Sequence, residues 1–520
     1  MKAWLIASLV GITGAAAAFV ACDNASSCSF GNCDPPFDGG KDATLPPGCD
    51  TLDKDPKDNT ACVANSVGVF VAPAPVGRAD GDGTKEHPVL TFAAALSKAQ
   101  GKARIYVCEG TYDERVVLDK PLSIYGGFEC GTWSPTGTAT RLAPSATGAA
   151  LEVRSLSESI VIADLQIRSA DGSKPGESSV GALVRDGSGR VTWRRVKIEA
   201  GKGINADPAP APDPAVRPKG LDGVPTDGGQ SPAPGQVCEC GGSRRSRGGA
   251  GGRGADASTS DPGADGTNGG AEPMPTIIDR RTSAGGKGDT AGASGTPGVD
   301  GPHANGNAPG GATAANYGRI VPTTEAATGW LPAAGGNGED GNPGAGGGGG
   351  GGKGANGDTP GPGGGGGGCG GCGGAGGRGG PGGGGSIALL IANRPTTIEG
   401  SELTSFTAGN GGTASAGGGG GGGGGGTGTS GGYSGGAGGA GVGAGGGAGG
   451  TGGVSFAIGY IGQVPVVRDD TKLKAGTKGE PGAGQGGGAV GAGADPKWKG
   501  LDGAPGRDGK AAPIWDLATL

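Results

Sequence analysis

Cys238 and Cys240 are separated by one residue, and Cys369 and Cys372 by two. Four thiols at such spacings can do three kinds of work. They can hold a structural zinc ion, which takes four Cys or His ligands. A Cys-x-x-Cys pair can exchange electrons, but that use belongs to a βαβ setting that the surrounding sequence lacks. In an oxidising compartment they can form disulfides across the long intervening segment, each stabilising by up to roughly 4–5 kcal/mol in the chain-entropy view. Disulfides are the expectation, with no metal and no cofactor. The chain has 11 Cys. With Cys22 set aside, the remainder is even, which in an exported chain reads as a disulfide framework. Proximity pairs Cys28 with Cys33, Cys49 with Cys62 and Cys108 with Cys130. Cys238, Cys240, Cys369 and Cys372 are then left to pair among themselves.

Other chemistry is sparse. The only histidines are His87 and His303. The run DKDPKDN at 53–59 lacks the Gly and the closing Glu of an EF-hand loop and reads as a solvated turn. Phosphate loops, GxSxG elbows and His-Glu zinc motifs do not occur. No catalytic residue is assigned. A net charge of −6 with scattered basic residues excludes the footprint of a nucleic-acid binder.

Positioning begins at the N-terminus. MKAWLIASLVGITGAAAAFVAC has a basic residue, an apolar run and small residues before Cys22, the pattern of a secretory signal at 1–21. Phe19-Val-Ala-Cys22 resembles a bacterial lipobox. The resemblance implies that Cys22 is lipidated and becomes the mature N-terminus, each buried CH₂ of its acyl chains adding ~0.8 kcal/mol of anchorage. Residues 22–65 then read as a Cys-containing tether that becomes a small disulfide-knotted segment before the fold begins.

Four stretches share one plan: 150–172, 181–203, 388–412 and 457–479. Each pairs a short apolar run with a polar turn, an alternating apolar run, and then Gly, Pro or Asp. This predicts one coil of a β-solenoid used repeatedly, with inward residues stacking about 4.8 Å apart. Thr91–Lys98 reads as a short helix capped by Thr91. Arg104–Cys108, Val116–Leu118, Leu122–Tyr125 and VGVFVAPAP (67–75) read as strands. Outward positions carry charge: Asp164, Gln166, Arg168, Arg194, Arg195, Lys197, Glu199, Glu399, Glu402, Asp469, Asp470 and Lys472. A solvated face is the plain reading, and a carbohydrate-binding strip the sharper one.

Within 77–133 the residues Gly83, Thr84, Pro88, Thr91, Ala95, Leu96, Ala99, Ile105, Tyr106, Val107, Gly110, Thr111 and Tyr112 resemble the N-terminal cap of pectate-lyase-like proteins. That resemblance implies an all-β fold, a right-handed parallel β-helix opened by one short helix. Tyr106, Tyr112 and Trp133 are then expected as packing residues. Cap, YGGFEC at 125–130, coils and glycine tracts together resemble PGRS-type glycine-rich myxobacterial lipoproteins. The organisation expected is cap and first coils at 66–204, a Pro/Gly-rich insertion at 205–385, a coil at 386–408, a glycine-rich insertion at 409–453, a coil at 454–475 and a glycine-rich segment at 476–520. The apolar islands 275–278, 319–322 and 330–331 are expected to touch the coils.

Gly (130) and Pro (38) make up about a third of the 520 residues. Ordering glycine costs roughly 1–2 kcal/mol per residue and buries no side chain in return. The tracts are therefore expected to be largely irregular, flexible loops; packed extended glycine strands are the alternative. The functional expectation is an exported lipoprotein, anchored through Cys22 in the outer membrane or at the surface of a bacterial envelope. Its role would be structural, adhesive or display, with no catalytic activity evident. Extracellular polysaccharide and other surface proteins are its expected partners. The alternative is a polysaccharide-binding or polysaccharide-cleaving protein, and Asp164 and Asp470 are the residues whose mutation would locate that activity.

Overall fold

The computed structural model describes residues 45–519 apart from 139, 213–218, 242–243, 257–262, 273–281, 290–294, 357, 429–430 and 469. The signal, Cys22, Cys28, Cys33, the island 275–278 and Asp469 lie outside the described residues.

The described chain is largely all-β, and its strands lie mostly in parallel sheets. After β1 (Gly68–Val71) and α1 (Phe92–Lys98) the chain runs in repeated rounds. Each round places one strand in each of three sheets. The first three rounds are β2 (Arg104–Cys108), β3 (Gly110–Tyr112), β4 (Val116–Leu118); β5 (Ser123–Phe128), β6 (Thr140–Leu142), β7 (Leu151–Leu156); and β8 (Ile160–Ala163), β9 (Leu165–Arg168), β10 (Ser179–Gly187). The fourth begins with β11 (Val191–Arg194) and β12 (Lys197–Glu199). An excursion carries β13 (Val237–Glu239), β14 (Arg245–Arg247), β15 (Gly269–Glu272), β16 (Thr282–Ser283), β17 (Gly318–Ile320) and β18 (Trp330–Pro332) before β19 (Ser386–Ala392) closes that round. The last two are β20 (Thr396–Glu399), β21 (Glu402–Thr404), β22 (Ser455–Ile461), and β23 (Val466–Val467), β24 (Lys472–Lys474), β25 (Ala511–Asp516). The first sheet is β1-β2-β5-β8-β11-β20-β23, the second β3-β6-β9-β12-β21-β24, and the third β4-β7-β10-β19-β22-β25. Residues 386–408 and 454–475 thus extend the same three sheets as 104–200.

Alternation decides which side chains go inside. Ile105, Ile124, Ile162, Trp193, Ile398 and Val467 stack in register along the first sheet. Leu142, Ile167, Ile198, Leu403 and Leu473 do so along the second. Both rows meet Val153, Val184 and Ile391 of the third sheet in one core. The first round is covered by α1, whose Phe92 and Ala95 are buried. The Thr91 hydroxyl caps the helix by accepting from the Ala94 amide, as expected, and Glu114 accepts from Phe92 and Ala93.

Three expectations are corrected. Residues 45–65 hold the expected Cys49–Cys62 bond but do not stand ahead of the fold: Cys49, Leu52, Cys62 and Val63 pack with Phe70, Tyr106, Tyr125 and Trp133. Residues 53–59 are not a solvated turn, because Asp55 is buried and ion-paired. The segment 476–520 is not only glycine-rich, since β25 completes the third sheet. The islands at 319–322 and 330–331 do touch the sheets: Ile320 and Trp330 pack with Leu183, Ile387, Leu390 and Phe456 on the third sheet's opposite face.

The largest correction concerns the glycine tracts. All three leave the body after a second-sheet strand and return as a third-sheet strand. Pairing between successive rounds does not stop there. Ala200, Gly203, Ala206 and Ala209 donate in turn to the carbonyls of Thr404, Thr407, Asn410 and Thr413, so the ladder continues with a step of three. Inside the tracts three successive amides point to three neighbours. Gly347 donates to Gly368, Gly348 to Val299 and Gly349 to Thr267; Gly350 then returns to Gly365, Gly351 to Thr296 and Gly352 to Ala264. Returning every third residue means a turn of about 120° per residue, the geometry of a polyproline-II strand. The carbonyls of Gly347, Gly348 and Gly349 accept from Gly249, Gly436 and Gly286. Each inner strand is therefore bonded on all sides, and the tracts form a glycine lattice. A Cβ on Gly347, Gly348 or Gly349 would sit 2.0, 2.0 or 1.9 Å from a neighbouring carbonyl oxygen, so only glycine fits.

Candidate functional site

The chain's outward charges are gathered by register. On the second sheet Arg141, Gln166, Lys197, Glu402 and Lys472 occupy one column, since each is paired with the next. Beside it, at the corner with the first sheet, stand Asp164, Arg195 and Gly400, each directly after a strand of the first sheet. All three have left-handed backbones, with φ of 60°, 52° and 57°. Aspartate tolerates that conformation; arginine rarely adopts it, and here its guanidinium is held by two carboxylates.

The column from Gln166 to Lys472 and the corner line a groove of about 350 Å³, together with Lys57, Thr136, Thr138, Ser401 and Asp470. Its wall is an ion-pair chain across several rounds. Lys57 Nζ lies 2.7 Å from Asp164 Oδ1, and Arg195 donates to Asp164 through Nε at 2.9 Å and Nη2 at 2.7 Å. Arg195 also donates to Asp55. Arg194 lies 3.7 Å from Asp55 and 2.6 Å from Glu399, which is 3.3 Å from Arg468.

Burial and partners set the titration behaviour. Burial pushes the Asp55 carboxyl up, but the Lys57 amide and the Arg195 guanidinium outweigh it and hold it below the usual carboxylate range. The bonded Asp164 carboxylate drives the Arg195 guanidinium further up. Its bond to Glu199 raises Lys197. Asp470 accepts from the Gly400 amide at 2.9 Å.

Asp164 and Asp470, far apart in the sequence, both line this groove. Both are engaged with partners of the same chain. What sequence reasoning missed is Asp55 and Lys57, which come from the presumed tether. Their only signal is an acidic-basic run next to a Cys pair.

The cysteines meet as disulfides. Cys49–Cys62 and Cys108–Cys130 form as expected, and the last four pair as Cys238–Cys369 and Cys240–Cys372. The spacing has a geometric cause. Residues two apart share a side of the β-strand β13, and residues three apart share a side of a threefold strand. Cys-x-Cys can therefore be laced to Cys-x-x-Cys. Tyr106, Tyr112 and Trp133 are buried packing residues. His87 is exposed in the cap, and His303 accepts the Ala440 amide through Nδ1. Among the described residues no three His, Cys, Asp or Glu converge as metal ligands would, and no helix is long and apolar enough to cross a membrane. Compared with protein-family models, curated proteins and solved structures, the chain matches none.

Proposed function

We propose that the protein is a structural, adhesive or display component of a bacterial cell envelope, held there through lipid on Cys22. We also propose that its three sheets are the faces of one right-handed parallel β-helix with a pectate-lyase-like cap. One observation supports this reading most. The bonding between rounds runs from the sheets into the glycine lattice without interruption. Sheets and lattice are thereby joined by backbone bonding, with four disulfides among the described residues suited to an oxidising compartment. The resemblance to PGRS-type lipoproteins supports the same placement. Palmitate labelling and membrane fractionation of wild type against Cys22→Ala test the anchor. The variant should lose label and leave the membrane fraction; unchanged labelling would overturn the anchor.

The charged groove favours a second reading, a polysaccharide-binding protein whose ligand lies along the second sheet. A glycan array of the delipidated protein separates the two readings. Binding that is lost on Lys472→Ala supports the second, and no binding with retained surface attachment supports the first.

A further inference from the structure

The disulfide-closed segment 49–62 crosses the outer face of the first sheet and adds no strand to it. Beneath it are two outward columns, Arg104–Ser123–Val161–Thr192 and Tyr106–Tyr125–Ala163–Arg194. Each cation there reads a different part of the segment. Arg104 Nη2 donates to the main-chain carbonyls of Leu52 and Lys54, at 2.6 and 2.9 Å. Arg194 and Arg195 take the Asp55 carboxylate. Leu52 packs in the apolar cluster with Tyr106, Tyr125 and Ala163 of the sheet. Arg104 is wholly buried, its guanidinium carbon 4.9 Å from the Tyr125 ring centre. Its Nε and Nη1 have no hydrogen-bond partner among the described residues. Leaving two donors of a buried cation unmet is costly for a purely structural contact.

We propose that this face is a binding site for acidic peptides of the pattern Leu-x-x-Asp. The segment 49–62 is then a strap that occupies the site from within the same chain. Main-chain carbonyls on one arginine and a carboxylate on two others are how a peptide would be read. An external peptide competes with the strap, so its apparent affinity falls by the fraction of time the strap is lifted. Weakening the strap tightens external binding. The proposal does not depend on the anchor.

The test uses the full chain and a synthetic oxidised peptide of residues 49–62, followed by calorimetry. Asp55→Ala in the protein should bind the peptide at least tenfold more tightly than wild type. A peptide carrying Asn in place of Asp55 should bind at least tenfold more weakly than the parent peptide. Lys57→Met, which frees the strap's other ion pair and leaves the arginines untouched, should act like Asp55→Ala. Equal binding by wild type and both variants, or equal binding of the two peptides, would overturn the proposal. So would amide exchange rising in β8 and β11 as much as in the strap, because the segment would then be part of the fold rather than a lid on it.

Discussion

Asp55 shows what one carboxylate does when two rounds of the chain supply arginines. Its folded-state pKa lies below its unfolded value. The stability it contributes is therefore fully present above the unfolded value, roughly 3.9, and is lost as pH falls through the folded value. Strap amides such as that of Cys62 should exchange faster below about pH 4, while those of β8 and β11 hold. Asp55→Asn should abolish that pH dependence and loosen the strap by about 1–3 kcal/mol at neutral pH. Hydrogen exchange against pH reads both. Glycine offers a second contrast. A Cβ at Gly370 would lie 2.0 Å from the Gly344 carbonyl oxygen, whereas at Gly422 the nearest atom is the Ala492 Cβ at 3.8 Å. Gly370→Ala should cost at least about 1–3 kcal/mol by overpacking. Gly422→Ala should be neutral or stabilise by about 0.4–1 kcal/mol through the unfolded chain. Denaturation curves of the two variants would coincide if the tracts were not packed. None of this was legible from residue identity, because one letter, G, stands at both positions.

At the scale of elements, sheets and lattice meet through serines. Ser179, Ser386 and Ser455 open successive third-sheet strands and are paired in register. Ser455 Oγ donates to the Phe406 carbonyl, shares a bond with Ser405 and accepts from the Gly476 amide. Ser179 does similar work with Ser169, Ala170 and Gly201. A ladder of step two cannot pass to one of step three without leaving groups unpaired, and the hydroxyls take them up. Ser455→Ala should cost about 1–3 kcal/mol and raise exchange first at Gly476; unchanged exchange there would remove the junction role. The strands of the rounds were readable, since apolar alternation at 104–108, 160–168 and 191–198 fixes which face is inside. The last strand was not, because AAPIWD carries little alternation and follows a glycine tract. The glycine strands were unreadable for a deeper reason. Their register comes from backbone bonds to neighbours far along the chain, and side-chain patterning records none of it.

For the whole molecule, the central claim is that the described residues of the tracts within 205–385, 409–453 and 476–510 are held by backbone bonding as firmly as the sheets. The lacing by Cys238–Cys369 and Cys240–Cys372 closes loops with sequence separations of 131 and 132. On the chain-entropy model each contributes up to about 4–5 kcal/mol. Replacing Cys238 and Cys369 by Ser should lower the melting temperature of the lattice and spare α1 and the first three rounds; equal loss everywhere would show that the lattice has no separate stability. Native-state hydrogen exchange of the glycine amides, resolved at Gly347, Gly350, Gly371 and Gly441, tests the claim most directly. A bonded lattice predicts protection close to that of β10 and β19. Exchange at the rate of an unstructured chain would contradict it.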